Sequence, residues 1–411
     1  MKRSPVLFAV ALTALAAAGA SADPWPQFGG PTRDAQSAET GLLKSWPAGG
    51  PKKLWTAQAD LGIGYSCPAV TSDGIFVTGV FRQSGYVMAL ALDGKPRWKT
   101  KYGPEFTKSF LSSRTTPTVD GGRMYVMSGR GRIACLDAAE GKELWAVETE
   151  RVYGAQQIRW GLAESPLICD EKVLCTPGGT KATIVALNKQ TGKEIWSVNI
   201  ERDKSAYCNP IRIKDGRKDI VVTMLERNVV GVDTATGQFL WQIPYAGPWG
   251  VHANSPIHHD GRIYVTSGYD TGGRMLELSP DGRSVKVLWK EMSLDTHHGG
   301  VVLVGGHVYG SNWISNARGN WLCLDWRSGK IKFDTKWENK GNLLVADGLI
   351  YCYCENGTVG LIKPDPSGWK PVSSFKITEG SGKHWAHLVI SDGRLYVRHG
   401  EALMAYDIRA K

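Results

Sequence analysis

The sequence predicts an all-β, eight-bladed β-propeller of four-stranded antiparallel blades, with the last blade closed by an N-terminal strand. Three observations carry this. One phrase of strand, Asp-Gly turn and aromatic residue recurs along the chain, and helix-period patterns are essentially absent beyond the first 22 residues. The final repeat also lacks its fourth strand, while an unattached fourth-strand phrase stands near the start.

The N-terminus is set aside first. Met1-Lys2-Arg3 is positive, Val6 to Ala18 is a run of apolar and small residues, and Ala20-Ser21-Ala22 has small residues at a cleavage spacing. Together these predict a signal peptide over residues 1–22, and a periplasmic or secreted protein. The apolar run is shorter than the ~20 residues a membrane-spanning helix needs, and no later run is longer, so no membrane span is expected. No cysteine stands at the cleavage point, and no lipid anchor is expected there.

What remains exceeds the ~250–300 residues that a single core usually reaches, which calls for two domains or a repeat architecture. The formal net charge is +10, with the basic residues scattered rather than clustered. That distribution argues against nucleic acid as a partner and leaves attraction to acidic polysaccharide open.

The repeat decides for the second architecture. Leu136-Asp137 leads to Gly141-Lys142-Glu143-Leu144-Trp145, Leu187-Asn188 to Gly192-Lys193-Glu194-Ile195-Trp196, and Val232-Asp233 to Gly237-Gln238-Phe239-Leu240-Trp241. Looser copies end at Trp98, Trp289, Phe333 and Phe375, and the last, Tyr406-Asp407, stops before any aromatic. Each copy follows an Asp-Gly hairpin such as Asp260-Gly261-Arg262-Ile263-Tyr264-Val265 or Asp392-Gly393-Arg394-Leu395-Tyr396-Val397. Alternation with period two and these turns make antiparallel hairpins. The spacing is 44 residues from Asp93 to Asp137 and 45 from Asn188 to Asp233, the length of a propeller blade. The Asp and Gly shape the turn, and the Trp offers a flat surface to pack between neighbouring blades. Lys52-Lys53-Leu54-Trp55-Thr56 supplies the fourth strand of the eighth blade and seals the open edges. Residues 52–411 are therefore read as the propeller and 23–51 as an extended lead-in lying on it.

The Asp–Gly-Lys–Trp phrases resemble the tryptophan-docking repeats of pyrroloquinoline-quinone-like propellers, over nearly all of the chain after residue 22. The opening Trp25-Pro26-Gln27-Phe28-Gly29-Gly30-Pro31 resembles the start of many exported members. The resemblance implies either a quinoprotein oxidoreductase with PQQ as cofactor or a scaffold for envelope proteins like the outer-membrane β-barrel assembly propeller. The usual quinone contacts are not found: the chain has no adjacent cysteine pair and no Cys-x-x-Cys-His haem motif. Fold follows from such a repeat far more directly than function does.

Function has to be sought at the axial face. Aligned on the Asp-Gly turn, the first strands begin at Cys67, Thr116, Ser165, Asn209, Ser255, Gly300, Asn342 and His387. None is large and apolar, which suits a wet channel. Just ahead lie Arg114, Arg159, Trp160, Glu164, His252, Asn254, His297, His298, Lys340, His384 and Trp385. Arg114, Arg159, Asn209, Asn254, His297, Asn342, His384 and His387 are the expected ligand contacts. Glu164, His252, His298 and Arg114 are the candidates for acid–base catalysis on a sugar-like substrate. His252, His297, His298 and His387 are the candidate metal ligands, though no ligand-type spacing singles them out. Tyr269, Asp270 and Trp313 fall in loops on the same face. The partners expected are a small-molecule or glycan ligand and, on the alternative reading, envelope proteins; whether the protein is an enzyme stays open. Cys175 and Cys352 align with core valines and are expected to be small core residues, while Cys67 and Cys208 sit nearer the channel.

Overall fold

The structure, a computed structural model, describes residues 24–58, 60–201, 203–216 and 218–410. The signal peptide expected over 1–22 lies outside these. Eight antiparallel sheets follow one another along the chain. Blade 1 comprises Ala69–Thr71, Gly74–Phe81, Ser84–Leu90 and Pro96–Pro104, and blades 2 to 7 repeat this plan up to Lys370–Lys376. In blade 8, Val389–Ser391, Arg394–His399 and Ala402–Asp407 are joined by Lys52–Ala57, which pairs antiparallel with the last of them as the fourth strand. The ring is closed as the repeat count requires. The one described helix is a single turn, Thr149–Tyr153.

The repeated phrase has a mechanical reading. The Asp or Asn that opens it folds back onto its own turn: Asp137 Oδ1 accepts the backbone N–H groups of Ala139 and Glu140, at 2.9 and 2.8 Å. Asn188 and Asp233 do the same for the residues two and three further on. This self-capped turn fixes where the fourth strand begins. A bulge just before the aromatic then re-aims the ring, in blades 2 to 6 and in the closing pair.

Five of the rings land on the turn glycine of the next blade. A Cβ on Gly192 would stand 2.6 Å from Trp145, and on Gly237 2.6 Å from Trp196, so only glycine admits the indole. Trp55, Trp98 and Trp289 cover Gly94, Gly141 and Gly329 in the same way. The indole N–H usually completes the joint: Trp145 donates to Lys189 O, Trp196 to Thr234 O, Trp241 to Gly282 O and Trp289 to Arg327 O, at 2.9–3.1 Å. Phe375 of blade 7 covers Gly50, immediately before the closing strand. The docking therefore runs through the seam where the two ends of the chain meet.

The lead-in does more than lie on the propeller. Trp25 pairs with Val70 of blade 1, and Val119 of blade 2 donates its N–H to Pro26 O. Arg33 reaches blades 3 and 4. Gln36–Ser37 adds a parallel fifth strand to blade 7 beside Val345–Ala346, and Glu39 accepts the N–H groups of Asp392 and Gly393 in blade 8. Residues 25–39 thus cross one end of the axis from wall to wall. Arg33 is 3% exposed. It donates to the carbonyls of Pro210, Ser165 and Pro166, and its Nε to Gln27 Oε1. Burial pulls its pKa down to about 10, against the pull of Glu164.

All eight cysteines are buried and none forms a disulfide. Burial raises the thiol pKa of Cys175 and Cys352 well above the ordinary value, as suits core residues.

Candidate functional site

Opposite the lead-in, the axis opens into a cavity of about 310 Å³. Its floor is Phe28, whose ring packs on His387. Its walls are the loops that join successive blades: Tyr65, Phe110 and Arg114, Trp160 and Ala163, Tyr207 and Asn209, Val251 and Ala253, His297 and His298, then Lys383, Trp385 and His387. Tyr269 and Asn316 come from turns within blades 5 and 6.

Chain parity explains which expected residues arrive here. Where the loop entering a first strand runs extended, alternate side chains face the cavity. Lys383, Trp385 and His387 face it, and His384 does not; Val251 and Ala253 face it, and His252 and Asn254 do not. Arg114, Asn209 and His387 line the cavity as expected, and so do both His297 and His298, because the chain bends through residues 297–299 there. His252 is turned into the wall, where its ring packs on Tyr245 and Nε2 donates to Glu226 O at 3.2 Å. Its ring does not reach the cavity. Glu164 is likewise buried beside Ala163, accepting the N–H of Thr176 at 3.1 Å, and burial pushes its pKa up to about 8. It is a neutral core acid at pH 7 and does not reach the cavity. His384 stacks on His399 at 3.7 Å and bonds to the Tyr353 hydroxyl. Arg159 stands outside the lining, its guanidinium between the rings of Trp160 and Trp249.

Most of the ring of first-strand residues is a belt rather than a channel lining. Ser165 Oγ accepts the N–H of Thr116, Asn209 Oδ1 that of Ser165, Asn254 Oδ1 that of Gly300, and Asn342 Oδ1 that of Leu388. Cys67 Sγ bonds to Thr116 Oγ1 at 3.2 Å. Each bond ties one blade to the next. The polar character that reads as a wet channel serves backbone groups that would otherwise be buried without partners. Asn254 is saturated by this role, also donating to Thr266 O and Thr296 O, and Asn342 donates to Ala386 O.

The cavity is aromatic and cationic. Trp385 gathers Tyr65, Phe110 and His298 around it, with ring centroids 5.0–5.1 Å away. Tyr269 packs on Trp313 and bonds to His297 Nε2 at 2.7 Å. Burial lowers the pKa of His298 to about 3 and of His387 to about 4, and also depresses that of His297, so all three imidazoles are neutral at pH 7. The positive charge at the lining is carried by Arg114 and Lys383, and no carboxylate belongs to that lining. Arg114 donates through Nη2 to Ser109 O and Phe110 O, while its Nη1 and the Trp385 Nε1 are buried without a partner. Trp385 is among the residues named from sequence, and parity would have added Lys383. Phe28, Tyr65 and Tyr207 needed the path of the lead-in and the loop shapes.

No helix among the described residues is long and apolar enough to cross a membrane. A family model described as outer membrane protein assembly factor BamB matches residues 47–151 and 83–335. The assembly factor BamB of Yersinia pestis is 23% identical over 343 residues, covering 76% of this chain and 80% of its own. The quinoprotein ethanol dehydrogenase of Pseudomonas aeruginosa is 24% identical over 290 residues, 60% of this chain. The match spans 44% of that enzyme, less than half its length. Among solved structures, BamB from Moraxella catarrhalis superposes with a TM-score of 0.64 at 15% identity, over 87% of this chain and 99% of its own. The quinohemoprotein alcohol dehydrogenase of Comamonas testosteroni gives 0.69 at 13%, over 95% and 81%. At such identities the likeness shows the fold alone.

Proposed function

The chain belongs to the pyrroloquinoline-quinone-like propeller family that the assembly-factor model describes, and from that premise we propose that it is an exported propeller binding a small acidic, sugar-type ligand in the axial cavity. One observation carries this reading. Two donors on lining residues, Arg114 Nη1 and Trp385 Nε1, are buried without partners. A buried donor left unmatched costs ~1–3 kcal/mol, and a small turn of either side chain toward the cavity would offer it to an oxygen-rich ligand. The aromatic walls suit the apolar faces of a sugar ring, and Arg114 with Lys383 suits a carboxylate. A 310 Å³ cavity falls at the small end of ligand pockets, which span ~300–1,000 Å³.

The residues do not fit a quinone held in the manner expected of the dehydrogenase branch. Among the described residues all eight cysteines are buried singly and none lines the cavity. No carboxylate lines it to hold a calcium ion.

The test is calorimetric titration of the purified chain with uronic acid oligosaccharides and their neutral counterparts. Acidic oligomers are expected to bind and neutral ones to bind at least about tenfold more weakly, a difference of ~1.4 kcal/mol. Lys383 is exposed, so Lys383→Ala should weaken binding without lowering the melting temperature. Arg114→Ala should abolish measurable binding. Equal affinity for neutral oligomers, or binding indifferent to both substitutions, would overturn the reading.

A second reading has its own support. Phe110, Trp249, Met292 and Ile314 stand 47–60% exposed in loops of the cavity face, and several relatives are named as outer membrane protein assembly factors. An envelope protein could dock on such a rim. Cross-linking from a photoreactive residue at position 249 in the intact envelope would detect that partner.

A further inference from the structure

We propose that His297 and His298, in the wall of the axial cavity, and Glu355, just behind that lining, form a binding site for one divalent first-row transition-metal ion. His297 and His298 lie in the link between blades 5 and 6, and Glu355 in the tight turn between the second and third strands of blade 7. These are elements more than fifty residues apart in sequence, yet one donor atom from each lies within 4.8 Å of the others.

The donors are free for an ion. His297 Nε2 is engaged by the Tyr269 hydroxyl, which leaves Nδ1, buried and without a partner. His298 Nε2 is also buried without a hydrogen bond, although Glu355 Oε1 is 3.4 Å away. That separation is the edge of a tetrahedral site whose bonds are ~2.1 Å long. The third donor has to close in by roughly 1 Å, within reach of an imidazole rotation. With His297 Nε2–H donating to the Tyr269 oxygen, His297 Nδ1 and His298 Nε2 can both turn lone pairs toward the carboxylate oxygen, and a cation matches them.

The carboxylate is held by its other oxygen. Lys340, only 2% exposed, donates to Glu355 Oε2 at 2.7 Å and to Asn316 O at 2.9 Å. Such an outer partner orients a ligand, at the cost of a nearby positive charge. Two imidazoles and one carboxylate suit zinc, cobalt or iron(II) rather than calcium or magnesium. With 23% of the His298 side chain open to the cavity, the fourth position is available to water or to a ligand, as in three-ligand zinc centres. Of the four histidines nominated for metal binding from sequence, this assignment keeps two and replaces His252 and His387 with Glu355. It does not depend on the acidic-sugar reading.

The test uses the full chain without a histidine tag, stripped by chelator, with Co2+ and Zn2+ as probes and no sugar present. One equivalent of Co2+ is expected to bind saturably with visible d–d absorption, and to be displaced by Zn2+. Glu355→Gln and His297→Gln should each weaken binding at least about tenfold, and the exposed His259→Gln should leave it unchanged. If Glu355→Gln disturbs folding by freeing Lys340, His297→Gln carries the comparison. Absence of saturable binding at millimolar ion, or a site that survives His297→Gln, overturns the proposal. The sugar titration, run separately in chelator, fails or succeeds independently.

Discussion

The ring of Phe28 lies 4.9 Å from the imidazole of His387, joining the lead-in to the eighth blade at the floor of the cavity. Phe28 is half-buried, so Phe28→Ala should cost about 2 kcal/mol, below the ~3–5 usual for a fully buried ring. Its larger effect should fall on the cavity, which loses its floor. Chemical denaturation should give the modest loss of stability, and titration with uronic acid oligomers a loss of affinity beyond it. An unchanged affinity would mean that the floor is made elsewhere.

Arg33 satisfies three carbonyls of blades 3 and 4 from within the axis. Arg33→Met keeps much of the volume and strips the Pro210 and Ser165 oxygens of their guanidinium donor, while Pro166 O keeps the Thr118 hydroxyl. The expected cost is about 3 kcal/mol or more, read as a lowered urea midpoint. Arg33→Lys should recover only part of it, because one ammonium cannot reproduce the planar fork.

The docking joints make a sharper demand. Gly237 has φ +75° and lies under the ring of Trp196. Gly237→Ala combines backbone strain with a clash, and should destabilise by ~2 kcal/mol or more. Trp196→Phe keeps the ring and loses the bond to Thr234 O, and should cost ~1 kcal/mol. If the alanine variant unfolds at the same urea concentration as the parent, the joint is looser than its geometry implies.

Glu164 links stability to pH. Its pKa is about 8 in the fold against an ordinary 4.5. Below pH 4.5 both states hold the proton. As pH rises from there to about 8, the unfolded chain releases the proton and the folded chain keeps it, so stability falls. Glu164→Gln removes this term. Its melting temperature should exceed that of the parent at pH 8, and the advantage should vanish by pH 4.5. A constant offset across that range would assign Glu164 some other role.

The propeller was legible because its signal is redundant. A turn residue, a glycine and an aromatic ring are locked together by one contact, and that contact is needed at nearly every joint of the ring. The site was legible only in part, since position in the repeat finds the right loops but parity decides which side chains face the axis. His252, Asn254, Glu164 and His384 are one residue out of phase with neighbours that line the cavity. Glu355 and Phe28 were hidden for another reason. One comes from a within-blade turn and the other from outside the repeat, and no periodicity relates either to His297 or His387.

The lead-in has a consequence for the order in which the molecule can be made. Residues 25–39 rest on blades 1 to 4 on one side and on blades 7 and 8 on the other, and Lys52–Ala57 waits for Ala402–Asp407. Residues 25–39 and Lys52–Ala57 cannot find their final places until the far later blades 7 and 8 have been made. An unfinished chain therefore has neither floor nor seam, and the cavity comes into being only as a late, all-or-none event of maturation. Any ligand or metal it takes must be met in the compartment where the last residues are delivered.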